Sequence, residues 1–90
     1  MQINFLDISH NGIFLLGYRL ILSPTEKKIL QTVSQGGKSN TDELCSLLPQ
    51  GIGAGNIAVH INSINAKAKR ISGRRLIVYE NGQYNINPFM

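Results

Sequence analysis

The sequence predicts an α+β fold, on three observations. The first 22 residues are dense in β-forming side chains interrupted by turn residues. The middle carries two explicit helix starts and then a long helical stripe. The last third holds a second Asn-Gly turn between strand-like runs. Period-2 and period-3.6 patterns therefore occupy separate blocks, with strands first, helices next and strands again.

The 90 residues are enough for one domain with a modest core. We divide them into an N-terminal sheet (1–22), a three-helix core (23–71) and a terminal hairpin (72–88). A hydrophobic fraction of 42% with 16% charged residues belongs to a folded chain. No apolar run approaches the length of a membrane span. The N-terminal Met1-Gln-Ile-Asn-Phe-Leu-Asp7 lacks a basic region followed by an apolar core, so a cytoplasmic location is expected. Cys45 is the only cysteine, which excludes an internal disulfide. Among leucines it is expected to pack as a small buried side chain.

In chain order, Ile3 to Ile8 reads as a strand. His10-Asn11-Gly12 reads as a hairpin turn, because Asn-Gly readily takes the positive φ angles of a type I′ turn. Ile13 to Leu16 is a second strand, Gly17 turns the chain, and Arg19 to Leu22 is a third, giving a small antiparallel sheet. Ser23-Pro24-Thr25-Glu26 starts the first helix. Ser23 caps the free amides, Pro24 sits where no N–H is needed, and Glu26 closes a capping box. Ile29, Leu30 and Val33 form its buried side and Gly36-Gly37 ends it. Asn40-Thr41-Asp42-Glu43 repeats the start signal. Leu44, Leu47 and Leu48 form the apolar side of a short second helix, closed by Pro49 and Gly51. Gly51 to Gly55 is a flexible connection. It is not a phosphate-cradling loop, since no Gly-Lys-Ser/Thr follows and no βαβ unit surrounds it.

Asn56 to Ile71 forms the third and longest helix. Ile57, Ile61, Ile64, Ala68 and Ile71 recur at spacings of four, three, four and three. At about 100° per residue they fill a sector of roughly 80°. The opposite side carries Val59, Asn62, Ser63, Ala66 and Arg70, flanked by Asn56, His60 and Lys67. It is short in reach, rich in amides and hydroxyls, and free of acids. Val59 stands out as an apolar group nearly opposite the buried stripe. Such a face suits base-pair edges, where Asn pairs with adenine and an aliphatic group meets the thymine methyl; a solvated face with one stray Val is the plainer reading. Ser72-Gly73 then breaks the chain. Arg74 to Tyr79 is a strand with Leu76 and Val78 on one face, Glu80-Asn81-Gly82 is a hairpin turn, and Gln83 to Ile86 returns.

The formal charge is +4, and it is one-sided. Arg19, Lys27, Lys28 and Lys38 are balanced by Asp7, Glu26, Asp42 and Glu43 in residues 1–55. Lys67, Lys69, Arg70, Arg74 and Arg75 face only Glu80 in residues 56–90. A basic surface of this kind is the footprint of a polyanion partner. No nucleophile–His–acid set, carboxylate pair or metal cluster is present, so neither an enzyme nor a cofactor is expected. His60 has no second His nearby in sequence and no Cys pair. It suits a neutral hydrogen-bond donor or an exposed polar residue better than a metal ligand. His10 is a turn residue.

Sheet, three helices and a terminal hairpin in this order make a winged helix-turn-helix with an N-terminal antiparallel sheet and a C-terminal β-hairpin wing. In that architecture the third helix enters the major groove of DNA and the hairpin lies over the flanking backbone. Over nearly its whole length the chain resembles the OmpR/PhoB-type DNA-binding (effector) domain of response regulators, including its ToxR/CadC-like relatives. Leu22-Ser-Pro-Thr-Glu-Lys-Lys-Ile-Leu30 is similar to the family's Leu-Thr-x-x-Glu-x-x-Leu-Leu. Asn40-Thr-Asp-Glu-Leu44 is similar to its Ser-Arg-Glu-Glu-Leu. Asn56-Ile-Ala-Val-His-Ile-Asn-Ser-Ile-Asn-Ala-Lys67 tracks its Thr-Val-Asp-Val-His-Ile-x-Arg-Leu-Arg-x-Lys. Gly82 and Tyr84 stand where the family's wing ends in Gly-Tyr, and the N-terminal strands match its extra sheet.

The resemblance implies sequence-specific binding of double-stranded DNA by a transcriptional regulator. It places Val59 and Ser63 toward bases, Asn56 at the helix entrance, and His60, Asn62 and Asn65 near phosphates. The amides of Asn62 and Asn56 are also candidates for base edges. Lys67, Lys69, Arg70, Arg74 and Arg75 are expected on the DNA backbone, with Tyr79 where the family has a wing arginine. The family's Asp is Ala58 here, its two helix arginines are Ser63 and Asn65, and Glu80 follows Tyr79 near the wing tip. An altered readout follows from those departures. Relatives bind direct repeats as tandem pairs, so a homodimer or tandem arrangement on DNA is expected. In some relatives the loop corresponding to Gly51–Gly55 contacts RNA polymerase. The missing arginines motivate an alternative, a protein-interaction winged helix that has lost DNA binding.

Overall fold

The structure, a computed structural model, describes residues 2, 3, 5–35, 40–46 and 54–87. The chain is α+β. A four-stranded antiparallel sheet runs β1 (Gln2–Ile3), β2 (Leu6–Ser9), β3 (Gly12–Leu15) and β4 (Tyr18–Arg19), adjacent in that order. Three helices follow, α1 (Pro24–Ser34), α2 (Thr41–Ser46) and α3 (Ala54–Ser72), and a hairpin of β5 (Ile77–Glu80) and β6 (Gln83–Ile86) closes the chain.

Burial sets the register of the first hairpin. Leu6 pairs with Leu15 and Ile8 with Ile13, and all four face the core. The expected type I′ turn over Asn11-Gly12 does not form. His10 and Asn11 make the loop, Asn11 keeps an ordinary negative φ, and Gly12 is the first residue of β3, paired with Ser9. A turn centred on Asn11-Gly12 would have set Ile13 against His10 and Leu6 against Gly17. The apolar cross-strand pairs outweigh the local turn preference.

Elsewhere in this sheet two more boundaries differ from expectation. The run from Ile3 to Ile8 splits in two, because β1 folds back on β2 with Ile3 opposite Leu6. The third strand is only Tyr18–Arg19 and not Arg19–Leu22. The Leu20 N–H still reaches the Ile13 carbonyl, at 2.7 Å, but β3 begins at Gly12 and offers little beyond that point. The positive-φ hairpin turns are Leu16-Gly17 (52° and 84°) and, as expected, Asn81-Gly82 (53° and 78°).

α1 starts as its sequence dictates. The Glu26 N–H donates to Ser23 Oγ at 3.2 Å, and the Ser23 N–H donates to Glu26 Oε1 at 2.8 Å. Ile29, Leu30 and Val33 are buried. In α2, Leu44 is buried and Cys45 is half-buried against the core, and the Asn40 carbonyl accepts the Leu44 N–H. The expected roles of Gly36, Gly37, Leu47, Leu48, Pro49 and Gly51 fall outside the described residues, as does the side chain of Glu43.

α3 begins at Ala54, two residues before Asn56, and so takes in the end of the expected connection. Ile57, Ile61, Ile64 and Ala68 are buried along it, and Ile71 packs half-buried against the same core. Gly73 ends the helix at φ 77°, its N–H returning to the Lys69 carbonyl at 2.9 Å. That is the left-handed stop a glycine adopts without steric cost. The strand expected from Arg74 starts instead at Ile77. Leu76 and Ile77 are the buried pair, while Val78 is only half-buried.

Leu16 holds φ at 52° with an isobutyl side chain that is 47% exposed. A left-handed conformation costs a non-glycine residue about 1 kcal/mol or more, and Asn tolerates it best. Leu16→Asn should therefore stabilise the fold by about 0.5–1 kcal/mol in urea denaturation.

Candidate functional site

The outward side of α3 presents Asn56, Ala58, Val59, Asn62, Ala66, Lys69 and Arg70, all exposed. Val59 is 63% exposed, so the apolar group read as facing outward does so. His60 and Ser63 are half-buried at the edge of this side. Arg74 and Arg75 continue the exposed basic run past Gly73 toward β5. Lys69 and Arg70 occupy the last turn of α3, where cations complement the carbonyl end of the helix.

The hairpin stands beside this face, and a groove of about 260 Å³ separates the two. Asn62, Arg75, Tyr79 and Glu80 are among its lining residues. Tyr79 is 57% exposed and meets Tyr84 edge to face, with ring centroids 4.7 Å apart. Tyr84 in turn packs against the core, so the exposed ring has a fixed support. Glu80 is exposed next to the Asn81-Gly82 turn. This is the acidic exception on an otherwise basic surface among the described residues of the last third.

Two of the expected backbone contacts are otherwise engaged. Asn65 is only 8% exposed. Its Oδ1 accepts the Leu76 N–H at 3.0 Å and the Ile77 N–H at 2.8 Å, and its Nδ2 donates to the Ile77 carbonyl at 2.9 Å. The carboxamide thus pairs with the start of β5 as a neighbouring strand's peptide would, and these bonds turn it into the protein and away from a phosphate outside. On the helix it lies about 40° beyond the edge of the buried stripe, which is the signal that could have found it.

Lys67 is engaged as well. Its Nζ lies 2.7 Å from Glu26 Oε1, and its side chain is 35% exposed where that of Glu26 is 4% exposed. Burial works against the ionised Glu26 carboxyl. The Lys67 ammonium, the Ser23 N–H and the Ser63 hydroxyl outweigh it, and the pKa falls to about 2. Lys67 therefore neutralises an internal acid and adds no free charge to the outer face. Ser63, expected to face bases, sits on this same flank. The local sequence marks Glu26 as a helix cap; a partner 41 residues away leaves no mark there.

Among the described residues, no group of three His, Cys, Asp or Glu could hold a metal ion, and no helix is long and apolar enough to cross a membrane. Comparison with protein-family models, with curated proteins and with solved structures gave no match.

Asn65→Leu keeps the volume and removes all three bonds, stranding two buried N–H groups. It should cost about 2–4 kcal/mol in urea denaturation. Lys67→Met should cost about 3 kcal/mol at neutral pH by leaving a buried carboxylate unpaired. The folded pKa of Glu26 is depressed, so its stabilising contribution is complete above the ordinary value near 4.5 and is lost as pH falls toward about 2. The gap between Lys67→Met and the parent chain should close over that same interval in thermal melts.

Proposed function

We propose that the chain is a winged helix-turn-helix that binds double-stranded DNA as the effector domain of a transcriptional regulator, in the manner of the OmpR/PhoB-type domains it resembles. In this reading α3 enters the major groove and β5–β6 is the wing over the flanking backbone. The observation that carries it is the continuity of the exposed surface. A short-reach face of Asn56, Val59, Asn62 and Ala66 runs without an acid into Lys69, Arg70, Arg74 and Arg75. Long charged side chains would be expected there if solubility were the only requirement. Asn62 and Asn56 suit adenine edges, and Val59 suits a thymine methyl. The four exposed cations supply the sequence-independent part of the affinity, and Tyr79 takes the position of a wing arginine. A cytoplasmic location and tandem pairing on direct repeats are expectations of the same reading.

Fluorescence anisotropy of a mixed-sequence duplex across a salt series tests it. With Lys67 committed to Glu26, about four phosphates are available to neutralise. Log K should fall against log salt with a slope of about −3 to −4. Absence of binding at low salt, with the fold intact, removes the proposal and leaves the protein-interaction alternative. In the same assay Lys69→Ala should reduce the slope by about 1 for every sequence. Val59→Ala should leave the slope unchanged and narrow the gap between preferred and other sites, by about 1 kcal/mol or more.

A further inference from the structure

Ile21 is 71% exposed, higher than any other large apolar side chain described. It lies between β4 and α1, where Leu20 and Leu22 alternate inward and leave it pointing outward. Next to it a groove of about 410 Å³ runs between this stretch and the end of α3, lined by Arg19, Leu20, Ile21, Lys67, Arg70 and Ile71. The lining is half apolar and half cationic, with no acid among the described residues. Glu26 already matches the charge of Lys67, so Arg19 and Arg70 carry the excess.

We infer that this groove docks an acidic segment of a partner protein, one that seats an aliphatic side chain against Ile21. Charge complementarity selects the acidic partner, because Arg19 and Arg70 flank the apolar floor of Leu20 and Ile71. The apolar half selects a peptide over a nucleic acid backbone, which would gain little from an exposed isoleucine. Lys67 and Ile71 lie roughly 140° to 180° around α3 from Asn62, on the flank away from the hairpin groove. An occupant therefore leaves the Asn62 side open and shares with the basic strip only Arg70, and the inference stands whether or not that side meets DNA.

The test titrates the isotope-labelled chain with the peptide Gly-Glu-Glu-Leu-Leu-Glu-Glu-Leu-Gly and follows amide shifts by NMR. Shifts should centre on residues 19–22 and on Arg70 and Ile71. Ile21→Ser, whose core amides should be unmoved, should weaken binding at least about fivefold, as should replacing the peptide leucines by serine. Several results would overturn the inference. Shifts centred on Asn62 and Lys69 would mean that the peptide only imitates a polyanion. Equal binding of the serine peptide would reduce the contact to charge alone. Concentration-dependent shifts at Ile21 without peptide would assign the groove to a second copy of the chain. Absence of binding at millimolar peptide would leave the groove without the stated occupant.

Discussion

The hydrogen bonds of one carboxamide, that of Asn65, hold the hairpin to the third helix. Hairpin β5–β6 is an isolated two-stranded ribbon, a unit only marginally stable alone. Its first strand begins where the Asn65 side chain takes both backbone N–H groups of Leu76 and Ile77 and returns a donor to the Ile77 carbonyl. The same end of the ribbon is closed across its two strands by the Asn87 N–H on the Leu76 carbonyl at 2.8 Å and Asn87 Nδ2 on the Arg75 carbonyl at 2.9 Å. Leu76 and Ile77 can then bury fully against Ile61 and Ile64 without orphaned amides. Helix face and hairpin present one surface because of this junction. The width of the groove between Asn62 and Tyr79 depends on it.

The opposite flank of α3 is fixed by a different chemistry. Glu26 caps α1 with one oxygen and holds Lys67 with the same oxygen, so a single carboxylate fixes the start of one helix and its angle to another. A buried ion pair is weak evidence of net stabilisation, but it is costly to break from one side. It also changes the charge that the surface offers. Of the five cations clustered in sequence, Lys67 is internally matched, and the effective basic strip is Lys69, Arg70, Arg74 and Arg75.

What the sequence made legible was what is local. The capping box at Ser23–Glu26, the stripe of Ile57, Ile61, Ile64 and Ala68, the Gly73 stop and the Asn81-Gly82 turn each depend on a few neighbouring residues, and each appears where the pattern places it. Pairings between distant residues were not legible. The Asn-Gly at position 11 has the same local signal as that at position 81, yet cross-strand burial of Leu6, Ile8, Ile13 and Leu15 overrode it. Leu16 is a poor turn residue and still takes the turn. Lys67 looks polar and available on a helical wheel, and the place of Asn65 near the buried stripe hints at burial without naming what it bonds. Their partners, Ile77 and Glu26, come from elements whose position no period in α3 reveals.

Proposed function and fold meet in the claim that the outer face of α3 and the hairpin act as one DNA-binding surface. Amide shift mapping of the labelled chain with a short mixed-sequence duplex tests that claim most directly. A contiguous set of shifts is predicted from Asn56, Val59 and Asn62 through Lys69 and Arg70 to Arg75 and the Asn81-Gly82 turn. Shifts confined to β1–β4, or none on α3 in the presence of saturating duplex, would contradict it.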